Sequence, residues 1–161
     1  MGTDRIARAR WIALIVPAAL IAGAYGFQYI GHLYPCEMCW WQRYPQFAAI
    51  VFALAAFVVP ARASRLLIVC AALAIFLSGA IGVFHAGVEY HWWQGFTECT
   101  STMAGHGGSV DDMLARIMKA PVVRCDVPQW TLFGISLAGF NALVSIPAAL
   151  VILALLPKGK R

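Results

Sequence analysis

Four stretches of this chain carry no charged side chain: residues 11–29, 44–59, 66–88 and 130–156. A helix that crosses a bilayer needs about 20 mostly apolar residues. The first, third and fourth stretches reach that length alone. The second reaches it only if its helix starts near Cys39. Soluble amphipathic helices keep a polar face, which these stretches lack. Inside hydrocarbon the backbone must pair with itself, so each stretch reads as a helix. Hydrophobic residues make up 61% of the 161 and charged residues 12%, against about 25% in soluble domains. Mean hydropathy, at +0.75, points the same way. Arg5, Arg8 and Arg10 resemble the charged start of a secretory signal, but the apolar run behind them exceeds the roughly 7–15 residues of such a leader. It therefore reads as a retained span.

The predicted fold is an all-α membrane protein, a single domain of four transmembrane helices. The spans are expected at about 11–30, 40–59, 66–86 and 130–156, with outer loops at about 31–39 and 87–129. Four spans place both termini on one side. That side holds Arg5, Arg8, Arg10, Arg62, Arg65, Lys158, Lys160 and Arg161 against the single acid Asp4. The opposite side holds Arg43, Arg116, Lys119 and Arg124 against six acids. The positive-inside rule makes the basic side cytoplasmic. The net charge of +5 is thus topological, and no nucleic-acid partner is implied. Trp40, Trp41, Trp92, Trp93 and Trp130 fall at the expected outer boundaries, as an interfacial belt does. In the second outer loop, Ser109 can cap a short amphipathic helix carrying Val110, Met113, Leu114, Ile117 and Met118 on one face. Such a helix would lie on the membrane surface or on top of the bundle.

This topology puts Cys36, Cys39, Cys99 and Cys125 outside and Cys70 inside the third span, where a lone cysteine behaves as a small hydrophobe. Three readings of the outer four compete: structural disulfides, a zinc site and a redox relay. A staple gains most by closing a long loop, which Cys36–Cys39 does not. Structural zinc favours two close-spaced pairs, and Cys99 and Cys125 are 26 positions apart, so no metal is expected. Pro35 suits a helix start. Cys39 would then lie in the first turn, where the positive helix end favours a thiolate. Arg43 follows one turn later, with Gln42 beside it. The arginine could stabilise a thiolate or charge on an electron acceptor, or could snorkel at the interface. Asn141, within the fourth span, could bond between helices.

Residues 34–43 (YPCEMCWWQR) resemble the P-C-x-x-C-x-x-Q/E-R signature of the DsbB disulfide-bond formation family. Residues 125–130 (CDVPQW) and 132–141 (LFGISLAGFN) resemble that family's fourth-helix start, and 85–89 (HAGVE), with Trp93 and Cys99 beyond, its third-helix end. The resemblance implies a bacterial inner-membrane thiol:quinone oxidoreductase, a monomer, that reoxidises a periplasmic thioredoxin-like protein of the DsbA type. Cys99 and Cys125 would form the outer disulfide, with Cys99 joining the partner. Cys36 and Cys39 would form the membrane-proximal pair, with Cys39 facing ubiquinone or menaquinone. Arg43 and Gln42 would hold the quinone, with a histidine that is either His85 or His91. Gln42 stands where an acid can precede the arginine in the family. A vitamin-K-epoxide-reductase-like enzyme is the alternative, although its CxxC is expected near the last span. A non-enzymatic scaffold with structural disulfides is the other.

Overall fold

The computed structural model of the chain describes residues 2–95 and 123–156. They form α1 (Gly2–Tyr29), α2 (Glu37–Val58), α3 (Ala61–Glu89), the hairpin strands β1 (Thr131–Leu132) and β2 (Ile135–Ser136), and α4 (Leu137–Leu155). The chain is a mostly helical membrane protein. Three of its helices, α1, α3 and α4, are long and apolar enough to cross a membrane. α2 falls short because its first half carries Gln42, Arg43 and Gln46, all buried. The expected surface helix at 109–120 lies outside the described residues, as does Cys99.

Helix ends are set by local chemistry. Cys36 is the N-cap of α2, in an extended conformation, and its sulfur accepts the Cys39 N–H. This is the bond an N-cap side chain makes to the third helical residue. α3 ends in a Schellman motif: His91 N–H donates to Val88 O at 3.1 Å and Trp92 N–H to Gly87 O at 2.8 Å. The motif needs a left-handed residue, and His91 takes it with φ 59°. Trp93 folds back, its Nε1 donating to Phe84 O at 2.9 Å. Its ring lies where a side chain at Gly87 would stand, so that position must stay bare.

α4 begins later than the expected span. Residues 131–136 form a two-residue hairpin with Thr131 opposite Ser136 and Leu132 opposite Ile135. Phe133 and Gly134 both have positive φ (52° and 76°), the twist such a turn requires. Ser136 then caps α4, its Oγ accepting the Gly139 N–H. The Tyr90 hydroxyl clasps the hairpin. It donates to Gly134 O at 2.7 Å and accepts the Ser136 N–H at 2.8 Å.

The inner half of the bundle is packed with small residues, among them Ala9, Ala13, Ala49, Ala53, Ala71, Ala72 and Ala149. Small side chains let helices approach without an opposing hydrophobic drive in lipid. α3 meets α4 through Gly79 and Gly82. A Cβ on Gly82 would sit 2.9 Å from Ala138 O, and one on Gly79 would sit 2.7 Å from Ile146 Cγ1. At the basic end, Arg10 Nη2 donates to Ser64 Oγ, which donates to Ala56 O, tying α1 to the α2–α3 turn.

Gly82→Val should lower the thermal midpoint of the detergent-solubilised protein, an overpacking cost of about 1–3 kcal/mol. Gly26→Ala, where a Cβ meets nothing within 4 Å, should not lower it. Equal midpoints for the two variants would contradict the close α3–α4 approach.

Candidate active site

One end of the bundle brings Cys36, Cys39, Gln42, Arg43 and His85 around one cavity of about 340 Å³. Cys36 and Cys125 are buried, Cys39 half-buried. The Cys36 and Cys39 sulfurs lie 2.9 Å apart as thiols. Cys125 packs on the same cluster with Met38 and Val88. Its contact with Cys36 pushes the Cys36 thiol far above the ordinary range, with Cys39 and burial adding to the shift. Outside the cluster, Arg124 binds Asp126 through Nε at 2.8 Å, which holds the Asp126 carboxyl below its usual range.

Most of the cavity wall is apolar, from α1 (Ala19, Leu20, Ile21, Phe27) and α4 (Leu137, Phe140). The polar groups gather near the thiols. Arg43 has no acidic partner among the described residues. Its Nη1 donates to Gln28 Oε1 at 2.7 Å and its Nη2 to Ala24 O at 3.4 Å. The guanidinium carbon lies 5.1 Å from the Tyr25 ring centre and 5.0 Å from that of Trp40. It is oriented by neutral groups and by π faces that attract a cation.

His85 is 2% exposed. Its Nε2 lies 3.6 Å from Cys36 Sγ and 3.7 Å from Glu89 Oε1, and its Nδ1 lies 2.7 Å from Gln42 Nε2. The proton on this ring can be placed. Gln42 Nε2 also faces the Met38 carbonyl at 3.2 Å, which only an NH₂ group can do. That amide therefore donates to Nδ1, and the ring proton sits on Nε2, toward Cys36 and Glu89. Glu89 also lines the cavity, and its Oε2 is buried with no hydrogen-bond partner among the described residues.

Cys36, Cys39 and His85 offer ligand atoms within 4.8 Å of one another, the spacing of a metal cluster. A metal would need a bare Nε2. Freeing it requires turning the Gln42 amide and losing its bonds to Met38 and Asn141. The ring as held is a hydrogen-bond donor to sulfur.

His91 is not part of this cluster. It is exposed, and its left-handed backbone closes α3. Glu89, Asn141 and Gln46 line the cavity without having stood out as site residues in the sequence. One signal could have found two of them. Gln42 and Gln46 lie one turn apart, as do Asn141 and Ser145, so each pair marks an inward polar face.

A helical membrane bundle with a thiol pair beside a cavity that holds a cation has the groups that thiol exchange requires. A family model described as disulfide bond formation protein DsbB matches residues 7–155, and the chain belongs to that family. Membership makes it a membrane disulfide-bond formation protein with a thiol oxidoreductase role. The chain is also similar to the uncharacterized protein RP370 of Rickettsia prowazekii (strain Madrid E). The two are 24% identical over 144 residues, which cover 89% of this chain and 83% of that protein. No solved structure matches the chain.

Because the Cys36 proton is held and Cys39 is more open, mild alkylation of the reduced protein near neutral pH should label Cys39 before Cys36. The Cys36 thiol should react only as pH rises well into the alkaline range. Peptide mapping that finds Cys36 labelled first would contradict this arrangement. His91→Gly should keep the fold and raise the thermal midpoint slightly, since glycine takes positive φ without the roughly 1–2 kcal/mol cost of a side chain.

Proposed function

We propose that the protein is an inner-membrane thiol:quinone oxidoreductase that reoxidises a periplasmic thioredoxin-like dithiol protein of the DsbA type. In this reading all four helices cross the membrane, both termini are cytoplasmic, and the working unit is a monomer. The observation that carries it is the shared cavity. One end holds two thiols, a cation and amide groups, and the remainder is an apolar trough. That donor set fits a planar ring with two polar oxygens and a hydrocarbon tail. A bound ubiquinone or menaquinone would supply a two-electron, two-proton acceptor.

The chain's own residues divide the work. Cys99 and Cys125 exchange with the partner dithiol, and Cys36 and Cys39 receive those electrons by a second exchange. Cys125 already packs against Cys36, so sulfur-to-sulfur transfer needs little movement. Cys39, at the cavity wall, is the sulfur that delivers electrons. Arg43 has neutral partners, Gln28 and the Ala24 carbonyl, so its charge is left to favour negative charge in the cavity. His85 steadies Cys36, and Gln42 orients His85. Cys70, half-buried in α3, takes no part.

The test is ubiquinone absorbance in detergent on adding a reduced DsbA-type substrate. Wild-type protein should bleach the quinone catalytically, and folded Cys39→Ser should not. Absence of bleaching with both ubiquinone and menaquinone, in folded protein with intact disulfides, would favour structural disulfides instead. Arg43→Ala should slow quinone reduction more than thiol exchange with the substrate, while Cys70→Ala should leave both unchanged. Equal loss in both steps for Arg43→Ala would remove its assigned role.

A further inference from the structure

The buried amides below the thiols form a chain whose linking donors all point the same way. Asn141 Nδ2 faces the Ser78 backbone carbonyl at 3.1 Å, which fixes that end as NH₂. The same nitrogen donates to Gln42 Oε1 at 2.8 Å. Asn141 Oδ1 is then an acceptor, and it receives Gln46 Nε2 at 3.2 Å and the Ser145 hydroxyl at 2.9 Å. Gln42 passes the direction on by donating to His85 Nδ1, and His85 Nε2–H faces Cys36 Sγ, beside Glu89 Oε1 and the Cys125 backbone. That sulfur also receives the Cys39 N–H at 3.3 Å and donates to Cys39 Sγ at 2.9 Å, with Cys125 as the other sulfur in contact. Donors thus run from mid-bundle through Asn141, Gln42, His85 and Cys36 to end on Cys39.

We propose that Asn141, on a different helix from every thiol, is a positioning residue of the redox pair. Through Gln42 it locks the His85 proton on Nε2, so that a one-way hydrogen-bond chain terminates on the Cys39 sulfur. Bonds aligned in one direction polarise one another. The chain therefore favours the anion at Cys39, the sulfur at the cavity wall, and keeps Cys36 protonated. Without Asn141, the Gln42 carbonyl loses its donor and the amide is free to turn. His85 could then carry its proton on Nδ1 and present a bare nitrogen to Cys36. The tautomer lock stands on geometry alone; its consequence for electron delivery rests on the function proposed above.

The experiment is ¹⁵N NMR of histidine-labelled, reduced, quinone-free protein in detergent, with His85 assigned by its loss in His85→Gln. Wild type should show a proton on Nε2 and none on Nδ1. Asn141→Leu should yield a mixture of tautomers. Gln42→Glu, whose carboxylate cannot donate, should place a proton on Nδ1. Alkylation of Cys39 should slow by about tenfold in Asn141→Leu, the scale of one lost hydrogen bond. If Asn141→Leu does not fold, Asn141→Asp serves, since it cannot offer one NH₂ to both Gln42 and Ser78. A wild-type ring protonated on Nδ1, or Nδ1 unprotonated in folded Asn141 variants, overturns the proposal. Because no quinone is present, failure of quinone bleaching would leave these results standing, and the reverse holds too.

Discussion

A buried amide in hydrocarbon has no water to turn to, so every polar atom between these helices must find a protein partner. The group around Asn141 meets that constraint except at Gln46 Oε1, which is buried without a partner among the described residues. Ser78, on α3, donates to Gln42 O at 2.8 Å, and Gln46, on α2, reaches Ser78 and Ser145 at 3.0 and 2.9 Å. Three helices are joined at one level by groups whose alternatives are all costly. Individual bonds between membrane helices average only about 0.6 kcal/mol, so their main contribution here is a single register. That register sets the heights of Cys36, His85 and the cavity.

Much of this was legible in the sequence. Uncharged blocks of bilayer length announce helices whatever their packing. Pro35 followed by CxxC marks the start of α2, because proline and a capping side chain act locally. The sequence left His85 and His91 open, and His85 is the ring that lies by the thiols. Cys39 lies in the first turn of α2, as expected, and Cys36 caps that helix by accepting the Cys39 amide. Only the N-cap side chain is placed to reach back to the third residue.

Other features left little trace. Residues 131–136 sit in an apolar block, and hydropathy cannot separate a two-residue hairpin from the first turns of a helix. The turn rests on Phe133, a residue type seldom left-handed. Gln46, Ser78 and Ser145 are single polar residues in apolar surroundings, and their value appears only when three helices are seen together. Gly79 and Gly82 look like ordinary small residues until the α4 backbone is placed against them. His91 carried a reactive side chain, but its backbone decided its position.

The clasp around Arg43 carries a further consequence. Guanidinium stays ionised across the pH range a protein survives, and its immediate partners are an amide, a carbonyl and two aromatic rings. Neither proton uptake nor loss in that clasp can change its charge under ordinary conditions. Salt screens exposed charges far better than partly buried ones, and Arg43 is 7% exposed. Arg43 therefore brings a nearly constant positive charge to one part of the cavity, whose wall also holds the titratable Glu89 and His85. An anion entering beside Arg43 meets the same cation whatever the acidity of the surroundings.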